Sequence, residues 1–200
     1  MSNFWDERYA KEEYAYGKEP NAYFKLVIDK LPAGQLLVPG AGEGRDAVYA
    51  AKLGWDVLAF DQSAQGREKA LRLAAEQNVT IQYDLMDVAD FITTPESFDA
   101  VALIYFHLPE RLRTDFHNKI TGCLRPDGAI ILEAFNPKQL QNTSGGPKEA
   151  SMLITSALLQ DEFADLSIKN NEEIEVSLNE GQFHFGKADV VRFLATKHIR

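Results

Sequence analysis

Short apolar runs alternate with amphipathic segments through the middle of the chain, the sequence form of a parallel sheet covered by helices. Leu36-Leu37-Val38 is the core of a strand predicted over residues 35–39. An amphipathic segment at 43–53 reads as a helix, and Gly54 ends it, since glycine closes a helix in the left-handed conformation without a Cβ penalty. A second strand is predicted at 55–60, and Ser63 is placed to cap a helix running to residue 77. Strands at 79–83 and 98–105, a helix from Pro109 to Cys123, a turn at Pro126-Asp127-Gly128 and a strand at 129–135 continue the alternation.

The pattern then changes. A polar loop at 136–149, holding Gly145-Gly146-Pro147, is expected to be mobile, and a helix follows near 150–162. Apolar alternation at 175–178 and 182–185 flanks Asn179-Glu180-Gly181, a hairpin signal, and a last strand spans 190–196. A hairpin after a βα series puts an antiparallel strand into a parallel sheet. The expected fold is a single α/β domain over residues 1–200. It is a three-layer sandwich around a mostly parallel seven-stranded sheet with an antiparallel C-terminal strand. Residues 1–31 form an aromatic-rich helical cap, 35–135 a cofactor-binding half, and 136–200 a substrate-side loop, helix and hairpin.

Composition narrows the function classes. With 45% apolar and 26% charged residues the chain is ordinary for a globular domain. A net charge of -9 argues against a nucleic-acid partner, because binding phosphate backbones needs a basic face. The basic groupings, Arg111 with Arg113 and residues 197–200, are too small for that and read as solvated charges. No apolar stretch is long enough to span a bilayer, and the N-terminus lacks a signal-peptide pattern. A cytoplasmic protein without membrane attachment is expected. The single cysteine, Cys123, excludes an internal disulfide and reads as a buried thiol. Four histidines show no metal-ligand spacing, so no metal is expected.

The densest chemistry is the run Pro39-Gly40-Ala41-Gly42-Glu43-Gly44 between a predicted strand and helix. Glycines there let the backbone turn and approach a ligand, and the helix start offers free N–H groups. Asp61 falls at the end of the next strand, where an acid accepts hydrogen bonds from a ribose. The site reads as one for an adenosine cofactor. In a dinucleotide fingerprint the third glycine would fall on Arg45, and Glu43 would set negative charge where a pyrophosphate belongs. Both features favour S-adenosylmethionine over NAD.

These residues resemble the class I S-adenosylmethionine-dependent methyltransferases, a Rossmann-like family, and particularly its small branch related to the tellurite-resistance (TehB-like) and thiopurine methyltransferases. Trp5-Asp6-Glu7-Arg8-Tyr9 with Tyr16-Gly17 looks like the N-terminal segment of that branch. Gly40 to Gly44 matches its first motif and Asp61 its ribose acid. Leu85-Met86-Asp87, Phe98-Asp99-Ala100-Val101 and Leu124-Arg125-Pro126-Asp127-Gly128 match later segments. The resemblance implies that Gly40, Ala41 and Gly42 line the methionine part, and that Asp61 and Gln62 hold the ribose. It implies that Asp87 accepts from the adenine amino group with Met86 against the ring, and that Tyr105 faces the sulfonium region. Val38 stands where most of the family has an acid, which leaves open the partner of the cofactor's amino group.

Methyl transfer from a sulfonium is an in-line displacement that needs alignment and exclusion of water. Trp5 and Tyr9 are the expected lid over the cofactor. For a hydroxyl or amine acceptor a base is useful, and His107 in Tyr105-Phe106-His107-Leu108-Pro109 is the expected one. Its competing reading, of equal weight, is a loop histidine bonded to backbone. His184, between Phe183 and Phe185, faces either the substrate or the hairpin surface. The expected activity is methylation of a small molecule (a thiol, selenium or tellurium species, amine or hydroxyl), with S-adenosylhomocysteine as product. The alternatives are a non-catalytic S-adenosylmethionine or nucleotide sensor and an NAD-dependent oxidoreductase.

Overall fold

The computed structural model describes residues 2–198; Met1, Ile199 and Arg200, the last two part of the terminal basic group, lie outside the described residues. Helix α1 (Ser2–Tyr9) and helix α2 (Ala22–Ile28) precede the sheet. Then come β1 (Gln35–Pro39), α3 (Arg45–Lys52), β2 (Asp56–Asp61), α4 (Ala64–Glu76) and β3 (Gln82–Leu85). The second half holds β4 (Phe98–Ile104), α5 (Glu110–Cys123), β5 (Leu124–Phe135), α6 (Ser156–Glu162), β6 (Ser167–Asn179) and β7 (Phe185–Thr196).

The seven strands lie in the order β3-β2-β1-β4-β5-β7-β6. Only the pairings of β7, with β5 and β6, are antiparallel. The chain moves outward from β1 toward β3, then returns to lay β4 on the other side of β1. That reversal opens a crevice at the carboxyl ends of β1 and β4, the usual ligand site of such sheets. Both faces are covered. Leu36 and Val38 pack with Phe24, Ile28 and Ala47, while Leu37 packs with Phe116 and Ile120 on the opposite face. Ala100 and Ala102 against Val101 and Leu103 repeat this split on β4, as the two-residue period of a strand requires.

Local chemistry sets the boundaries. Gly44 sits at φ 81° before α3, so that helix starts two residues later than its apolar pattern. Ser63 caps α4 by accepting from the Gly66 N–H, as its position predicts. The third strand is Gln82–Leu85 rather than 79–83. Asn78 turns left-handed at φ 56° and the Val79 N–H returns to the Ala74 carbonyl at 3.0 Å, so Val79 closes α4 instead of starting a strand. The turn at Pro126-Asp127-Gly128 is absorbed into β5 as an irregularity opposite Phe98/Ala100, with Asp127 at φ 63°.

Three further expectations are corrected toward the C-terminus. The helix near 150–162 is a short 3-10 turn, Ala150–Met152, followed by α6; between them Leu153 and Ile154 are buried, which interrupts the helix. The hairpin is larger than expected: 182–185 and 190–196 are not separate strands, and β7 runs from Phe185 against the whole of β6. Residues 136–149 are pinned rather than loose. Gln139 and Ser144 are buried, Gln139 donates to Ser144 Oγ and to the Gly145 carbonyl, and Ser144 donates to the Lys187 carbonyl. Cys123 is buried, its thiol pushed up to about 11 by burial.

Candidate active site

The glycine loop leaves β1 at the crevice. Gly40, Gly42 and Gly44 have φ of 60°, 51° and 81°. At Gly44 a Cβ would fall 2.5 Å from the Cβ of Ala70, so the loop also needs a glycine there to seat against α4. Bonds from β2 and β3 hold the loop. The Ala41 N–H donates to the Phe60 carbonyl at 3.1 Å, the Gly42 N–H to Asp61 Oδ2 at 3.0 Å, and the Tyr83 hydroxyl to the Gly42 carbonyl at 2.6 Å. The other oxygen of Asp61 accepts from the Ser63 N–H at 2.9 Å. Burial raises the Asp61 carboxyl above the usual range.

Glu43 corrects an expectation. Its carboxylate does not point toward a phosphate site. It is buried, accepts from the Ala15 N–H at 2.8 Å and pairs with Lys69 Nζ at 2.6 Å. Lys69 also donates to the carbonyls of Lys11 and Glu13, each at 2.7 Å. The loop's acid therefore clasps the strap of chain between α1 and α2, and its charge is neutralised. The case against a dinucleotide then rests on glycine spacing.

Beside β2 and β3 the site is open. Gln62 and Met86 are half-buried and Asp87 is exposed. Met86 is fixed by its N–H to the Asp61 carbonyl at 2.9 Å. Asp87 caps the one-turn helix Val88–Asp90 with one oxygen, accepting from the Ala89 N–H at 2.9 Å. A groove of about 370 Å³ runs alongside, between Val88, Ala89, Leu112 and Phe116. It adjoins the Asp87 turn and does not reach the glycine loop.

Over the loop lies the N-terminal cap. The Tyr9 ring is buried and its hydroxyl meets Gly42, where a Cβ would come within 2.7 Å of it. Trp5 stacks on Tyr9 at 5.6 Å between centroids. Asp6 anchors α1 by accepting from Ser63 Oγ at 2.6 Å.

At the ends of β4 and β5 the polar groups are interior. Tyr105 donates to Glu133 Oε1 at 2.9 Å. Arg192 donates to Glu133 Oε2 at 2.6 Å. The Asn21 amide joins Glu133 at 2.7 Å and Glu180 at 3.1 Å, and Arg45 reaches Glu180 Oε2 at 2.8 Å. Against burial, the His184 contact and then Arg45 hold the Glu180 carboxyl down at about 2. Asp46 accepts from the Asn21 N–H at 2.7 Å, and burial outweighs Arg45 to raise its carboxyl to about 6.

His107 has both ring nitrogens engaged: Nδ1 lies 2.9 Å from the Met152 carbonyl, and Nε2 accepts from the Phe135 N–H at 3.3 Å. Burial pushes its pKa down to about 4. These contacts describe the backbone-bonded loop histidine that competed with the base at the sequence level.

The crevice thus brings Tyr9, Gly40, Ala41, Gly42 and Asp61 together, with Gln62, Met86 and Asp87 at the neighbouring strand ends. Tyr105 ends β4, but its ring turns to Glu133, Phe135 and His184. Phe106, which no motif singled out, rests on Gly40, where a Cβ would come within 2.3 Å of its ring. Asn21, Arg45, Glu133 and Glu180 also escaped sequence reasoning. The one signal for them was Arg45, the residue breaking the dinucleotide fingerprint.

Among the described residues no group of three or more His, Cys, Asp or Glu is placed to hold a metal, and no helix is long and apolar enough to cross a membrane. Residues 37–128 match a family described as a methyltransferase domain. No curated protein matches the chain significantly. Solved structures are similar in fold. One, from work on the conversion of a disulfide bond into a thioacetal group during echinomycin biosynthesis, has a TM-score of 0.78 at 18% identity, covering 99% of this chain and 92% of that one. TehB from Haemophilus influenzae has a TM-score of 0.73 at 15% identity over 98% of this chain and 66% of its own. The N-methyltransferase NodS from Bradyrhizobium japonicum WM9, in complex with S-adenosyl-L-homocysteine, has a TM-score of 0.73 at 11% identity over 98% of this chain and 97% of its own.

Proposed function

Taking the chain as a class I S-adenosylmethionine-dependent methyltransferase, we propose that it methylates a small molecule by in-line transfer in the crevice between the glycine loop and the end of β4. The observation that carries this reading is the loop itself: its backbone turns left-handed at Gly40 and Gly42, is tied to Asp61 across β2 and is covered by Phe106 and Tyr9.

The residues present fit the cofactor. Gly40 and Gly42, which lack a Cβ, would offer bare backbone to its methionine part with Phe106 and Tyr9 displaced from them, and the clasped Glu43 adds no free charge there. Asp61 and Gln62 would hold the ribose. Asp87, with one oxygen left over from its cap, would accept from the adenine amino group, and Met86 would lie against the ring. Bound, the cofactor supplies a methyl group already activated by positive sulfur. The protein's own contribution is to align the acceptor and exclude water, and alignment alone supplies roughly 7–11 kcal/mol in such reactions. Trp5 and Tyr9 do the excluding from above. Phe106 and Tyr105 form the floor toward the acceptor. A small acceptor is favoured because the polar groups at that end are interior rather than displayed on an open basic face.

Calorimetry with S-adenosylhomocysteine, S-adenosylmethionine and NAD tests the cofactor: heat from the first two and none from NAD is expected, and the reverse overturns the reading. Release of S-adenosylhomocysteine over a panel of thiols, selenite, tellurite, amines and phenols then tests turnover. Cofactor binding with silence across the panel identifies a sensor module instead.

A further inference from the structure

Two glycines of the loop are covered by rings of this chain. A Cβ on Gly40 would first meet Cδ2, Cε2 and Cγ of Phe106, all within 3.2 Å, and a Cβ on Gly42 would first meet the Tyr9 hydroxyl. Gly44 is different: it faces Ala70 of α4 and belongs to the packing of the fold. The bare backbone that the methionine part of a cofactor would use is therefore in contact with the protein's own aromatic side chains.

The two covers are mounted differently. Tyr9 is 5% exposed and also meets α4, where a Cβ on Gly66 would come within 3.1 Å of its Cδ2. Trp5 stacks on it, and Asp6 ties the same helix to Ser63, so Tyr9 moves only with α1. Phe106 is half-buried and sits in the irregular stretch 105–109 between β4 and α5. Its chain neighbours are fixed. Tyr105 is held by its hydroxyl on Glu133 and its ring on Phe135, and His107 by the Met152 carbonyl and the Phe135 N–H. The Phe106 ring itself meets Phe116 edge-on at 5.6 Å between centroids. A held backbone with a half-buried ring leaves rotation of that ring as the available motion. Tyr105 sets the aim. Its φ of 50°, a region that is costly for a bulky residue and that collects at functional sites, turns the chain so that the next side chain rests on Gly40.

We propose that Phe106 is a plug of the empty site: its ring holds the place of the cofactor's methionine part on Gly40, and the cofactor binds to the fraction of molecules in which the ring has turned away. The proposal rests on the methyltransferase reading above. Ring and methionine part cannot share one place, so each molecule is either plugged or competent. The apparent dissociation constant is then the intrinsic one divided by the competent fraction. Rotation of a side chain is fast against binding, so the plug lowers the association rate by that same fraction and leaves the dissociation rate alone. S-adenosylmethionine and S-adenosylhomocysteine bear this loss equally, because both carry the methionine part. Adenosine lacks it and is spared.

The test uses the full chain as wild type, Phe106→Leu and Phe106→Ala. Calorimetry with S-adenosylhomocysteine should show affinity rising from wild type through F106L to F106A. The gain in F106A should be roughly tenfold or more, as when the competent form is a tenth of the molecules or less. Adenosine should bind all three alike. Stopped-flow tryptophan fluorescence, in which Trp5 reports from above the loop while Trp55 lies in the core, should place the gain in the association rate. F106L keeps an apolar side chain beside Phe116 and carries the same test if F106A does not fold. Variants that bind S-adenosylhomocysteine no more tightly than wild type overturn the proposal. So does a gain that adenosine shares, or one that comes from slower dissociation. Binding by the variants but not by wild type is the plug at its strongest. Binding of S-adenosylhomocysteine by none of the three strikes the methyltransferase reading instead.

Discussion

The two ends of the crevice are built on opposite plans. Beside β2 and β3 the polar side chains are exposed or half-exposed, and Asp87 spends one oxygen on a local cap. Under the strap, Glu43, Lys69, Asn21, Arg45, Asp46 and Glu133 are buried and bonded to one another or to backbone. Buried polar groups are costly unless each finds a partner, so the second end is wired into the fold and the first is merely attached to it. Substitutions beside β2 and β3 should change binding with little effect on stability. Substitutions under the strap should change both.

The strongest challenge to this contrast is Lys69→Met. It leaves the Glu43 carboxylate buried without its cation and frees two carbonyls. Breaking a buried pair in this way costs about 3–5 kcal/mol, read as a lowered denaturant midpoint. A loss below 1 kcal/mol would mean that the clasp is not integral to the fold.

A smaller effect comes from His107. Its pKa is depressed from 6.5 to about 4 by burial, so between those values the unfolded chain binds the proton and the folded chain does not. Stability from this group is complete above pH 6.5 and is lost as pH falls toward 4, about 3 kcal/mol. Asp46 works in the opposite direction over a similar window. Its raised carboxyl, about 6 against 3.8, stabilises at low pH, and that contribution fades as pH rises through 6. His107→Gln should therefore remove the acid-side loss and expose the Asp46 trend, measured by denaturant unfolding from pH 4 to 8.

The smallest stability effect belongs to the open end. Asp87→Asn keeps a capping oxygen and should shift stability by less than about 1 kcal/mol. It should nonetheless weaken S-adenosylhomocysteine binding by roughly tenfold, the worth of one hydrogen bond to a charged acceptor. Calorimetry and thermal melting on the same sample separate the two.

The contrast also explains what the sequence revealed. The open end is closer to local chemistry: Ser63 and Asp87 cap turns within three residues, and Asp61 meets Gly42 from the next strand at the spacing that the motif announces. Under the strap, partners are distant in the chain. Glu43 meets Lys69, Asn21 meets Glu133 and Glu180, and no window of sequence holds both members. Glu43 was accordingly given a phosphate to repel. His184 shows the same limit: its aromatic neighbours in sequence suggested a strand, yet Phe185 is 68% exposed while His184 is interior. Most of β6 faces solvent on both sides, so Ser167–Asn179 lacks the alternation that marks a strand with one buried face.

The bonds from Asn21 carry a consequence for synthesis. They join residue 21 to residues 133 and 180, sequence separations of 112 and 159. During synthesis from the N-terminus, Glu43, Asp46 and Lys69 can hold the strap early, but the bonds from the Asn21 amide wait until β5 and the hairpin turn have also emerged. Contacts so far apart in sequence form late, since the intervening loop must be closed before they contribute. The bonds that complete the strap's attachment are thus among the last to form.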